Sequence, residues 1–72
     1  MTEVRVNVGA HAPAGIIRDI KAIADRYPGE SPLYLQVETG DGYKTYRLGI
    51  GVDYEADFFL AIRDLGVGLE IR

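Results

Sequence analysis

The chain opens on a two-residue rhythm, with Val4, Val6 and Val8 alternating with Arg5 and Asn7. Strand side chains point to opposite faces in turn, so this pattern predicts a strand buried on one face. A small-residue link, "GAHAPAG", follows, and then the rhythm changes. From Ala14 to Tyr27, Ile16, Ile17, Ile20, Ile23, Ala24 and Tyr27 gather on one helical face, and Arg18, Asp19, Lys21, Asp25 and Arg26 on the other. Pro13 suits the first helical turn. Pro28 disfavours helix for the residue before it, and Gly29 is expected to close the helix in the left-handed conformation.

Alternation then returns twice. Leu33, Leu35 and Val37 alternate with Tyr34, Gln36 and Glu38, and Tyr46, Leu48 and Ile50 with Thr45, Arg47 and Gly49. Between them, Asp41-Gly42 is the signature of a two-residue type I′ hairpin loop. With those two residues as the loop, Val37, Leu35 and Leu33 fall opposite Tyr46, Leu48 and Ile50. Every apolar residue then meets an apolar one, and a one-residue slip would destroy the match. Asp53 is the expected N-cap of a second helix, with Glu55 and Asp57 in its positive first turn. Tyr54, Phe58, Ile62 and Leu65 form its apolar stripe, Gly66 ends it, and Val67, Leu69 and Ile71 mark a last strand.

The order β-α-β-β-α-β is that of the ferredoxin-like α+β arrangement. It predicts one small domain over residues 1–72, with two helices on one face of a four-stranded antiparallel sheet. The expected strand order is 4-1-3-2, with the second and fourth strands at the edges. Pro32 suits an edge strand, where a missing N–H does least harm. The sheet face away from the helices then carries Arg5, Asn7, Tyr34, Gln36, Glu38, Thr45, Arg47, Glu70 and Arg72.

Composition narrows the function classes. Eight basic against eleven acidic residues give a net charge of -3, a poor balance for gripping phosphate backbones, so no direct nucleic-acid binding is expected. The two strands expected at the centre offer Arg5, Asn7, Thr45 and Arg47 to the open face, and the one aromatic there, Tyr34, is expected at an edge. An RNA-binding sheet would instead stack bases on central aromatics. The absence of cysteine removes disulfides and thiolate chemistry and points towards a reducing, cytoplasmic setting. No apolar run approaches the roughly 20 residues of a bilayer span, and the polar opening "MTEVRVNV" is unlike a signal peptide.

No catalytic, metal or cofactor constellation emerges. "DYEAD", Asp53 to Asp57, puts three carboxylates in five residues, but on a helix these point in different directions, which favours capping over cation binding. His11 is the only histidine. "GAHAPAG" matches neither the dinucleotide fingerprint nor the P-loop, though such a turn can let a ligand approach the N–H groups of Gly15 and Ile16. Leu60 lies opposite the apolar stripe of the second helix, exposed to solvent or a partner.

The string "YPGESPLYLQV", then "YKTYRLG", a helix and "LGVG", resembles the carboxy-terminal tail domain of the bacterial replicative DNA polymerase III alpha subunit. The resemblance covers residues 14–72. It rests on turns and apolar positions: Ile16 to Tyr27, Pro28-Gly29, Pro32, Leu33 to Val37, Tyr46 to Gly49, Phe58 to Leu65 and Gly66. It implies a non-catalytic module that tethers the polymerase to the tau subunit of the clamp loader. That family has no fixed contact motif, so the candidate contacts come from expected exposure: Leu60 and Arg63 on the second helix, Tyr34 and Arg47 on the open face. A homodimer is also open. The opening "VRVNVGAHAPAGIIRDIKAIADRY" is similar to that of ACT-type regulatory domains, which implies amino-acid binding at the first strand-helix turn, near His11, Gly15 and Ile16. An acylphosphatase-type enzyme would need an arginine in that turn and an asparagine on the third strand; the chain has neither, so catalysis is set aside.

Overall fold

The computed structural model describes residues 2–72. The elements are β1 (Val4–Val8), α1 (Ile16–Arg26), β2 (Pro28–Thr39), β3 (Gly42–Val52), α2 (Ala56–Asp64) and β4 (Gly68–Ile71). The element order is the one expected, and the sheet is different. Its strand order is β3-β2-β1-β4, with β1 parallel to β2 and the other two pairs antiparallel. The α1 crossover thus delivers β2 directly beside β1, instead of leaving a slot between them for β3. The edges are β3 and β4, not β2 and β4.

The side-chain chemistry of the two long strands accounts for this placement. On the helix-covered face β2 presents Leu33, Leu35 and Val37, all apolar and suited to cover on both sides. The facing row of β3 begins with Lys44, and β3 holds glycines at 42, 49 and 51, features that belong on an edge. Pro32 is compatible with an interior strand because β1 pairs with β2 only from Leu33 to Val37. Pro28 to Pro32 run past the end of β1, so that part of β2 is paired on one side only.

The hairpin loop is Gly40-Asp41, with Thr39 opposite Gly42, one residue earlier than expected. A type I′ turn over Asp41-Gly42 would need Asp41 at positive φ, and no described non-glycine residue has one. Instead the Thr39 hydroxyl accepts from the Asp41 N–H and donates to the Gly42 carbonyl, both at 3.3 Å. Near the loop this shifts the register by two, so Leu35 faces Tyr46 and Val37 faces Lys44. At the open end, Pro32 faces Gly51, which is the expected register. The difference is absorbed at Leu48, Gly49 and Ile50, which together occupy the place opposite Leu33. Gly49 makes this bulge at φ +70, a conformation costly for other residues. Because the slip is by two, every side chain keeps its face.

The core is one cluster. Val4, Val6, Val8, Leu33, Leu35 and Val52 from the sheet meet Ile16, Ile20 and Ala24 of α1 and Phe58 and Ile62 of α2. Both helices therefore cover the same face, α1 towards β3 and α2 towards β4. Phe58 is fully buried and meets Tyr27 edge-on, with ring centroids 5.9 Å apart. No polar or charged residue is buried among those described.

The helix ends also depart from expectation. α1 starts at Ile16 rather than Ala14, with Gly15 at its N-cap, and Tyr27 ends it. Gly29 is not a left-handed cap; it is already part of β2. Its role is close approach. A methyl group on Gly29 would lie 2.5 Å from the Asp53 nitrogen and 2.6 Å from the Val52 carbonyl, and one on Gly51 would collide with the Gly29 carbonyl oxygen. At this crossing the Asp53 N–H donates to the Tyr27 carbonyl at 2.8 Å. That bond holds Asp53 to the end of α1, so α2 begins later, at Ala56, with Glu55 as N-cap and no side-chain cap bond. The capping role expected of Asp53 is therefore absent, and Tyr54 precedes the helix. Asp57 does lie in the first turn, and Gly66 follows the helix at φ +81.

Candidate functional site

Three surfaces collect the polar and exposed apolar groups. The first is the open sheet face. Across it Arg47, Tyr34, Arg5 and Glu70 lie side by side on β3, β2, β1 and β4, and Thr45, Gln36 and Asn7 form the next row. These are the residues expected there, because alternation decides the face whatever the strand order. What changed is the position of Tyr34, on an interior strand instead of an edge. The Arg5 guanidinium lies 5.5 Å from its ring centroid, which covers the aromatic surface a nucleobase would need. Arg5 also pairs with Glu3 at 3.3 Å, while its Nε is buried without a hydrogen-bond partner.

At the β4 side, Glu70 accepts from Arg72 Nε at 3.1 Å and from Asn7 Nδ2 at 3.4 Å. The Arg72 hydrogen bond, then that of Asn7, then the Arg72 charge hold the Glu70 carboxyl below its ordinary value of 4.5. A depressed folded-state pKa means that this pairing stabilises the fold above the unfolded-state pKa. The contribution is lost as pH falls through the folded value. We expect the Glu70 carboxyl to titrate below 4.5 by NMR, and Arg72→Ala to move the midpoint upward. An unmoved midpoint would mean that the pairing does not form in solution.

The second surface is a hollow of about 390 Å³ beyond the end of β1, lined by Gly9 to Pro13, Glu38 and Leu65 to Val67. His11 is exposed on its wall. Gly15 sits at the α1 N-cap, and the Ile16 N–H is engaged with the Pro13 carbonyl at 3.2 Å. Ile16 itself is buried. The turn does not present the free Ile16 N–H that ligand approach would use.

The third surface follows the β3 edge, and the sequence reading missed it. Ile17 and Lys21 of α1, Leu35 and Val37 of β2, and Tyr46, Arg47 and Leu48 of β3 line a groove of about 320 Å³. Ile17 is 39% exposed and Tyr46 47%, and Tyr43 near the hairpin tip is 65% exposed. The signal was present in Ile17: at 100° per residue it lies at the margin of the α1 apolar stripe. What the groove needed was β3, rather than β2, at the edge. Among the other expected contacts, Leu60 is 59% exposed on α2 and Arg63 is exposed near that helix's C-terminus, remote in sequence and element from Arg47.

No described group of histidine, cysteine, aspartate or glutamate side chains could hold a metal ion. Among the described residues, no helix is long and apolar enough to cross a membrane. No protein-family model matches the chain, and no curated protein matches it.

Proposed function

We propose that this domain is a non-catalytic protein-interaction module, specifically a tail domain of a replicative DNA polymerase alpha subunit that tethers the enzyme to the tau subunit of the clamp loader. The observation that carries the interaction reading is the pair of large apolar side chains left in solvent, Ile17 and Tyr46, that line one groove beside the β3 edge. Clustered exposed aromatic and aliphatic groups mark contact surfaces more often than scattered ones do. The polymerase assignment rests on the turn and apolar pattern of residues 14–72.

Titration calorimetry of the domain with a tau carboxy-terminal segment should give saturable heat; none at high micromolar concentration would remove the polymerase assignment. A second reading, amino-acid sensing, draws on the hollow beside His11. It predicts that one free amino acid raises the melting temperature, since a ligand at 100 times its dissociation constant adds about 2.7 kcal/mol. A flat response across all twenty would dismiss it.

A further inference from the structure

Edge strands expose backbone N–H and C=O groups that can pair with another chain. β3 is such an edge, and eleven residues long. The bulge at Leu48 to Ile50 ends its regular portion, so the stretch Tyr43 to Arg47 is the segment able to accept another strand. On the helix side, that stretch borders the groove formed by Ile17, Val37, Tyr46 and Leu48. An incoming strand would drop alternate side chains beside Ile17 and Tyr46.

Charge then selects the occupant. Lys21 and Arg47 line the groove, Arg47 from the open-face side of β3, and Lys44 shares the helix-side face opposite Val37. None of the three is in an ion pair among the described residues, where the basic partners of the two ion pairs are Arg5 and Arg72. Three of the eight basic residues of an acidic chain thus border the β3 edge and its groove, unpaired. A second copy is a poor fit. Antiparallel pairing of the Tyr43 to Arg47 stretch with itself, centred on Thr45, would set Lys44 opposite Tyr46 and Arg47 opposite Tyr43, so a second copy brings no carboxylate opposite either cation.

We infer that the β3 edge binds an extended, acidic segment of a partner protein, with alternating apolar residues entering the groove, the intervening carboxylates facing Arg47 on the open side of the strand, and Lys21 and Lys44 drawing the acidic segment to the groove rim. This is strand addition, with backbone hydrogen bonds giving affinity and side-chain alternation giving specificity. It rests on the interaction-module reading and names the surface which that reading leaves open. Lys44 serves twice here, discouraging self-pairing and attracting acid.

The test uses the nitrogen-15-labelled domain and two synthetic peptides, one alternating valine with glutamate, the other valine with lysine. The glutamate peptide should shift the amides of Tyr43 to Arg47, Ile17 and Lys21, protect β3 amides from exchange, and weaken as salt rises. The lysine peptide should not bind there. The exposed double variant K44E/R47E should retain the wild-type melting curve and lose about tenfold in affinity for the glutamate peptide. Equal binding of both peptides, shifts confined to another face, no shift at millimolar peptide, or an unchanged affinity in K44E/R47E would each overturn the inference. Failure of the broader reading is separable. If the tau segment binds wild type and K44E/R47E alike, the tether stands and this surface is wrong. If the glutamate peptide binds at β3 and the tau segment does not bind at all, the surface stands and the polymerase assignment falls.

Discussion

Phe58→Ala should remove a large share of the domain's stability. Phe58 is fully buried on α2 and is the largest such side chain; its ring closes the space between the two helices and meets Tyr27 edge-on at the end of α1. Truncating a core phenylalanine costs about 3–5 kcal/mol, from lost transfer energy and the cavity left behind. Domains carry roughly 0.05–0.15 kcal/mol per residue, so one of this length holds about 4–11 kcal/mol in total. In a domain this small each kcal/mol moves the melting temperature by about 4–8 °C, and the substitution should lower it by at least roughly 12 °C. Phe58→Leu fills part of the cavity and should cost much less. Circular dichroism melts of the two variants decide the matter: equal, small losses would mean that the core relaxes around position 58.

The second large effect is expected at the crossing of β2 and β3. Gly51→Ala places a methyl group against the Gly29 carbonyl oxygen, and Gly29→Ala places one against the Val52 and Asp53 backbone. The obstacles are main-chain atoms, with no rotamer to change, so the strands must separate. Overpacking costs typically about 1–3 kcal/mol, and a backbone obstacle puts these variants at or above the top of that range. Separation would also stretch the Asp53 to Tyr27 hydrogen bond that fixes where α2 begins. Gly40→Ala is the control, since a methyl there meets nothing within 4 Å and its φ is not in the left-handed region. Urea unfolding should show a large loss for Gly51→Ala and almost none for Gly40→Ala. Similar midpoints for the two would show that the crossing is not tight in solution.

The sequence made faces legible and left neighbours hidden. Alternation alone assigns Arg5, Asn7, Tyr34 and Gln36 to the open face and Val4, Val6, Leu33 and Leu35 to the core, whichever strands adjoin. Strand order is set by where the α1 crossover lands, and no periodicity along β1 or β2 encodes that. The clues were comparative: Lys44 and three glycines make β3 the better edge, while Pro32 misdirected because it lies where β2 outruns β1. The Asp41-Gly42 signal located the hairpin and misplaced its loop by one residue, since Asp41 keeps a negative φ and Thr39 closes the turn instead. The basic, apolar groove was not readable because it joins Ile17 to Tyr46 across an edge that only the true strand order creates. The partner-binding residues proposed from exposure on α2, Leu60 and Arg63, were visible from helical periodicity alone.

The extra residues held at Leu48, Gly49 and Ile50 act as a length buffer for the hairpin. Different registers stand on its two sides, and the buffer reconciles them without turning any side chain over. Changes of hairpin length by an even number of residues can therefore be taken up there, leaving both the core and the open face intact. An odd change would reverse one face of the strand beyond it. Variation in this loop should accordingly be tolerated in steps of two, which makes the hairpin tip the part of the fold freest to lengthen or shorten.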